Sequence, residues 1–180
     1  MITFRFHDEL NDFLPRERRD RDFACRCAQG ASVKHMIEAL GVPHTEVELI
    51  LVNGEAVGFE RRLSERDRVA VYPRVIALDI TSQARLRDQP RREPRFVADA
   101  HLGGLARLLR MAGFDTLYDN HYRDADLAAI SARESRILLS RDRELLKRRE
   151  VSHGCYVHAL KPAAQLKEIV QQIGRASGRE

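Results

Sequence analysis

Phe96-Val97-Ala98-Asp99, Asp115-Thr116-Leu117-Tyr118-Asp119 and Arg136-Ile137-Leu138-Leu139-Ser140-Arg141-Asp142 are three short apolar runs, each closing on an aspartate. Two segments of helical period separate them, Leu102 to Met111 and Ala125 to Glu134, and a third, Arg143 to Arg149, follows. Strand-length runs alternating with helices predict a parallel sheet with crossover helices. Every strand of such a sheet delivers its carboxyl end to one edge, where open α/β folds place their ligands. Asp99, Asp119 and Asp142 are therefore expected on that edge, with Asp124 opening the second helix as a fourth acid. Clustered carboxylates repel, and a bound divalent cation is the usual device that keeps them ionised. An all-oxygen set suits Mg²⁺ or Mn²⁺ better than zinc. Each acid alone also reads as a helix cap, since Asp is common at helix starts. The recurrence of an acid at every strand end is what points to a site.

Around these acids lie candidate phosphate contacts. Arg107 and Arg110 extend from the first helix, and Arg141 sits beside Asp142, the best placed to stabilise phosphoryl charge. His101 and His121 read as surface loop residues, Asp115 and Asp126 as surface or turn residues. Leu105, Leu108, Leu109 and Met111 are core by spacing. Downstream, Cys155 to Leu160 predicts a fourth strand. Pro162 starts a helix whose Leu166, Ile169, Val170 and Ile173 share a face, Gly174 ends it, and residues 175–180 form a flexible tail.

Upstream, residues 1–73 predict a compact α+β unit. Ile2 to Phe6 alternates like an amphipathic strand, with Phe23 to Cys27 as its partner. The connection around Pro15 is too rich in Arg and Asp to be core. Ser32 is set to cap a helix from Val33 to Leu40, stopped by Gly41 and Pro43. Val47 to Val52, the turn Asn53-Gly54 and Ala56-Val57 form a hairpin, and Val69 to Tyr72 is the last strand. Residues 74–95 then read as a basic, Pro- and Arg-punctuated linker, with room for a strand from Val75 to Ile80.

The chain has 180 residues and a formal charge of +4. Residues 1–72 carry a net −2, whereas 73–95 and 96–180 each carry +3. A basic surface around an acidic pocket suits a polyanion held near a cation, although charge alone leaves a nucleic-acid partner open, since Arg far outnumbers Lys. No apolar run is long enough for a membrane span or a secretory leader. Cys25, Cys27 and Cys155 lack disulfide-framework spacing and fit reduced thiols in the cytoplasm. Cys25 and Cys27 are too few ligands for a structural zinc site.

Two strands, a helix and further strands with a Val-Asn-Gly turn make residues 1–72 similar to the ubiquitin-like β-grasp, especially the small sulfur carriers. Those act through a free C-terminal Gly-Gly. Here the last strand runs through Pro73 into more chain, so a binding or stabilising module, with a protein partner, is expected instead. Residues 96–119 and 136–146, quoted in part above, resemble the Mut-7 C-terminal RNase family among the PIN-like nucleases. The resemblance spans about 95–173 and implies a PIN-like domain over 96–174. It also implies metal-binding acids at Asp99, Asp119, Asp124 and Asp142, and an N-terminal ubiquitin-like domain. Many members continue into a zinc ribbon with paired Cys-x-x-Cys motifs; residues 1–180 contain none.

The expected activity is metal-dependent cleavage of RNA by an ionised water at the aspartate cluster. No Ser or Cys nucleophile partnered by His and no Gly-x-Gly-x-x-Gly loop is present. The second reading is a non-catalytic RNA-binding or adaptor protein with a degenerate site. A phospho-accepting receiver domain fits worst, because its acid pair and its Lys are not in place.

Overall fold

A computed structural model describes residues 1–28, 30–73 and 94–177. The chain divides into two compact units, Met1–Asp88 and Gln89–Glu180. The basic linker and the strand expected at 75–80 lie outside the described residues, apart from Pro94 and Arg95.

The first unit is a mixed sheet of β1 (Ile2–Phe6), β2 (Phe23–Cys25), β3 (Val47–Val52), β4 (Glu55–Val57) and β5 (Arg68–Pro73), with the helix α1 (Val33–Ala39). The strand order is β2-β1-β5-β3-β4. β1 and β5 are parallel at the centre, and the other pairs are antiparallel. Ile2, Phe4 and Phe6 are buried while Thr3 and Arg5 turn outward, as a period of two requires. The Phe4, Phe6 and Phe23 rings stack at 5.9–6.4 Å. The Ser32 hydroxyl accepts from the His35 amide, so it caps α1 as its position indicated. Asn53 and Gly54 take φ of 53° and 86°, the left-handed pair a tight hairpin demands.

The connection around Pro15 departs from its polar composition. It winds into 3-10 turns at Asp8–Phe13 and Arg16–Arg18 and buries Leu10, Phe13 and Leu14. Asn11 makes this possible. Its buried amide donates to the carbonyls of Phe6 and Asp8 and accepts from the Asp20 amide. The polar backbone of the loop is thus satisfied internally while three apolar side chains enter the core.

The second unit is an all-parallel sheet of order β7-β6-β8-β9, from β6 (Phe96–Ala98), β7 (Thr116–Leu117), β8 (Ile137–Ser140) and β9 (Gly154–Tyr156). Its helices are α2 (Gly103–Met111), α3 (Asp124–Glu134), α4 (Arg143–Lys147) and α5 (Pro162–Ser177). β6 is buried on both faces, which is why Phe96-Val97-Ala98 reads as an unbroken apolar run. Phe96, Ala98 and Leu139 share a cluster with Leu105, Leu109 and Ile169 of α2 and α5. Val97 and Leu138 face Leu127, Ile130 and Leu145 of α3 and α4. This is a β-grasp-like mixed sheet followed by a PIN-like α/β domain.

Some boundaries differ from expectation. The fourth strand ends at Tyr156, because Val157, His158 and Ala159 turn their carbonyls to Arg141 instead of a neighbouring strand. α5 passes through Gly174 to Ser177; a lone Gly weakens a helix by about 1 kcal/mol without ending it. Met111 is 74% exposed, as it closes the last turn of α2 beyond the packed core, and Val170 is 44% exposed on the outer side of α5.

The amino edge of this sheet is clamped by Arg136, whose side chain is 7% exposed. It forks onto Asp115 at 2.8 and 3.2 Å, donates to Glu134 at 2.6 Å and reaches the Phe96 carbonyl. One guanidinium therefore ties together the entrances to β6, β7 and β8. Asp115 lies at the surface, as expected, and is also an anchor: Arg136 holds its carboxyl below the ordinary range.

Candidate functional site

β6 crosses over to β7 on one side, and the chain then returns to β8 on the other. The strand order thus reverses between β6 and β8, and their carboxyl ends flank the crevice where open α/β sheets bind ligands. Asp99 follows β6 and Asp142 follows β8, so both acids border that crevice.

Ser140 joins them. It is the last residue of β8 and fully buried. Its hydroxyl donates to Asp99 Oδ2 at 2.8 Å and accepts from the Asp142 amide at 2.9 Å. The other Asp99 oxygen accepts from the His101 amide, and the Asp99 amide donates to the Leu139 carbonyl. Asp142 Oδ1 accepts from the amides of Glu144 and Leu145, capping α4. Both acids are thus caps as well as site candidates, with rotamers fixed by the backbone amides they serve.

Asp119 stands two residues beyond β7, exposed, its Oδ1 receiving the His121 amide at 2.8 Å and the His121 ring at 3.0 Å. That amide, and next the ring, depress its pKa. Asp124 is the exposed first residue of α3, which starts at the same edge because it follows β7. All four acids lie on the carboxyl edge. Ser140 ties the Asp99 carboxylate to the Asp142 backbone amide, and among the described residues no three His, Cys, Asp or Glu side chains converge to hold a metal. The ligand atoms that these two acids offer are oxygens only, and Asp142 is exposed. That suits a hydrated Mg²⁺ or Mn²⁺, which takes one or two carboxylates, waters and substrate phosphate oxygens without a full protein cage.

The three arginines part company. Arg141 Nη1 donates to the carbonyls of Val157, His158 and Ala159 at 2.6, 2.6 and 3.0 Å, bracing the turn from β9 to α5. Glu168 holds the same turn from below through the amides of His158 and Ala159 and the His158 ring. Arg110 donates to the carbonyl of Thr116, the first residue of β7, which puts it at the opposite edge from the acids. α2 starts at the carboxyl edge and runs away from it, so a residue in its last turn cannot reach the crevice. Arg107 is exposed halfway along the same helix.

Gly103 and Gly104 are explained by close approach. A Cβ at Gly103 would meet the Tyr118 hydroxyl at 2.7 Å, and one at Gly104 would meet Pro162 Cγ at 2.6 Å. The Tyr118 hydroxyl donates to the Ala100 carbonyl, fixing the turn that presents Asp99. Ser140, Tyr118 and Arg136 were not singled out from sequence. Ser140 alone left a signal, a small hydroxyl ending an apolar strand two residues before an acid.

No curated protein and no solved structure matches the chain. Residues 1–79 match the family model described as Mut7-C ubiquitin, and residues 94–179 match that described as Mut7-C RNAse domain. No helix among the described residues is long and apolar enough to cross a membrane. The RNase description points to nuclease action and to RNA as the bound polymer. With both models in chain order on the two units, the protein belongs to the Mut7-C family, a Mut7-C ubiquitin domain followed by a Mut7-C RNAse domain.

Proposed function

We propose that the second unit is a metal-dependent ribonuclease whose centre is the Asp99–Ser140–Asp142 bridge. The observation that carries this reading is the bridge itself: one buried hydroxyl ties the Asp99 carboxylate to the backbone amide of Asp142, setting both acids side by side at the switch crevice of an RNase-family fold. Asp99 and Asp142 would hold a Mg²⁺ or Mn²⁺ ion, with Asp119 and Asp124 on the same edge as further ligands or as ligands of its waters. When bound, the cation supplies the charge that acidifies water and stabilises the departing oxygen of a phosphodiester. Ser140 holds the Asp99 carboxylate in one rotamer, and the α4 amides hold Asp142, so neither acid needs to reorganise on binding. Cytoplasmic location, consistent with three free cysteines, belongs to the same proposal.

The alternative, a non-catalytic RNA-binding or adaptor protein, draws on the exposure of Asp119 and Asp124 and the lack of a three-ligand cluster among the described residues. One comparison separates the two. Wild type, Asp99→Asn and Asp142→Asn are prepared identically and assayed for Mn²⁺-dependent cleavage of labelled RNA. The nuclease reading expects losses of orders of magnitude, with RNA binding little changed. Equal rates in all three would mean that the acids are caps only and that a contaminant cuts the RNA.

A further inference from the structure

The outward face of the first unit's sheet carries a feature that the RNase reading does not use. β1 and β5 run parallel in register, Thr3 beside Arg68 and Arg5 beside Ala70. Because side chains alternate, Thr3, Arg5 and His7 share this face with Arg68, Ala70 and Tyr72. The His7 and Tyr72 rings lie parallel, 4.2 Å apart with 5° between planes, and both are half-buried. Arg5 and Arg68 bind the two oxygens of one carboxylate, Asp22, at 3.3 and 2.8 Å. Their side chains are 45% and 72% exposed, and Asp22 is 41% exposed. An open cleft of about 440 Å³ runs across them over Leu51 and Ala70.

We propose that this face binds single-stranded RNA, with Arg5 and Arg68 on phosphate oxygens and the His7–Tyr72 stack supporting a base. The assignment rests on reading the chain as acting on RNA, but it adds a second contact in the other unit. Two guanidinium groups, each giving one N–H to a different oxygen of the same acid, are arranged as they could be on two oxygens of one phosphate. Asp22 occupies the anion's place, keeps both guanidinium groups in position, and must yield when phosphate arrives. A sheet surface that offers stacked aromatics beside basic groups is suited to unpaired bases. A peptide has less to grip. β1 and β5 are interior strands whose backbone groups serve the ladder, so a strand cannot add here.

The test uses the full chain in EDTA, which stops cleavage, and fluorescence anisotropy with a single-stranded oligoribonucleotide, its duplex and a poly-glutamate peptide. Tyr72→Leu is expected to weaken single-strand binding about 5- to 150-fold, while Tyr72→Phe keeps it. Arg68→Gln should weaken it and lower the salt slope by about 0.7, the share of one phosphate contact on a single strand. Asp22→Asn should tighten it, because the internal competitor is gone. Wild-type affinity in both Arg68→Gln and Tyr72→Leu overturns the proposal, as does equal preference for duplex or capture of the acidic peptide in place of RNA. Mn²⁺-dependent cleavage is measured alongside. Face-dependent binding without cleavage would uphold this site and remove the nuclease reading. Cleavage with affinity indifferent to Arg68 and Tyr72 would do the reverse.

Discussion

Replacing Ser140 by alanine removes one buried oxygen and almost no volume, so its effect isolates the bridge between Asp99 and Asp142. The lost bond to Asp99 is charge-assisted, worth roughly 1.5–3 kcal/mol, and the bond from the Asp142 amide is neutral, worth roughly 0.5–1.5 kcal/mol. Asp142 borders solvent, and water will recover part of the second bond. The expected destabilisation is therefore about 2–3 kcal/mol, or about 10–20 °C in Tm for a unit of this size. Urea unfolding followed by tyrosine fluorescence reads this unit selectively, since the chain has no Trp and Tyr118, Tyr122 and Tyr156 outnumber Tyr72. Combining Ser140→Ala with Asp99→Asn should cost less than the sum of the two changes, with a coupling of at least about 1 kcal/mol. A midpoint equal to wild type, or strict additivity with Asp99→Asn, would refute the bridge.

Arg136→Met should destabilise the second unit by about 3 kcal/mol, near the low end for a broken buried pair because Asp115 can return to water. The same clamp sets an acid limit. Asp115 has a folded pKa below its ordinary 3.8, so its contribution is complete above that value and is lost as pH falls through the depressed one. A Tm-against-pH series from 5 to 2.5 should show this loss in wild type and a shallower one in Arg136→Met. Gly104→Ala should cost about 1–3 kcal/mol in the same urea assay, because its Cβ meets the Pro162 ring at the start of α5. Arg141→Ala should speed amide hydrogen exchange across residues 157–161; unchanged exchange with weaker RNA binding would instead return Arg141 to the phosphate role expected from sequence.

The parallel sheet was legible because β6 and β8 are buried on both faces and so are apolar without interruption. The cap at Ser32 and the turn at Asn53-Gly54 were legible because each depends on its own few residues. The edge bearing the acids followed from strand direction alone. What escaped depends on contacts that each side chain makes outside its own element. Arg110 and Arg141 look like any helix or loop arginine until Thr116 and residues 157–159 claim them. Arg136 meets Asp115 across 21 residues, and no local pattern records that pairing. The loop around Pro15 misled through composition, since its charges face water while Leu10, Phe13 and Leu14 do not, and Asn11 supplies the backbone bonds that let them turn inward.

The parallel pairing of β1 with β5 has a consequence for how the chain leaves the ribosome. The first strand made is the neighbour of the last strand described in its unit, so β1 has one bare side until Arg68–Pro73 emerges. At about 5–20 residues per second that wait is on the order of seconds, and no shorter length of nascent chain can close the sheet. Through that interval Phe4 and Phe6 lie on a strand with unpaired backbone groups. A chain stalled or clipped before Arg68 would keep that edge open, an invitation to pair with another unfinished copy.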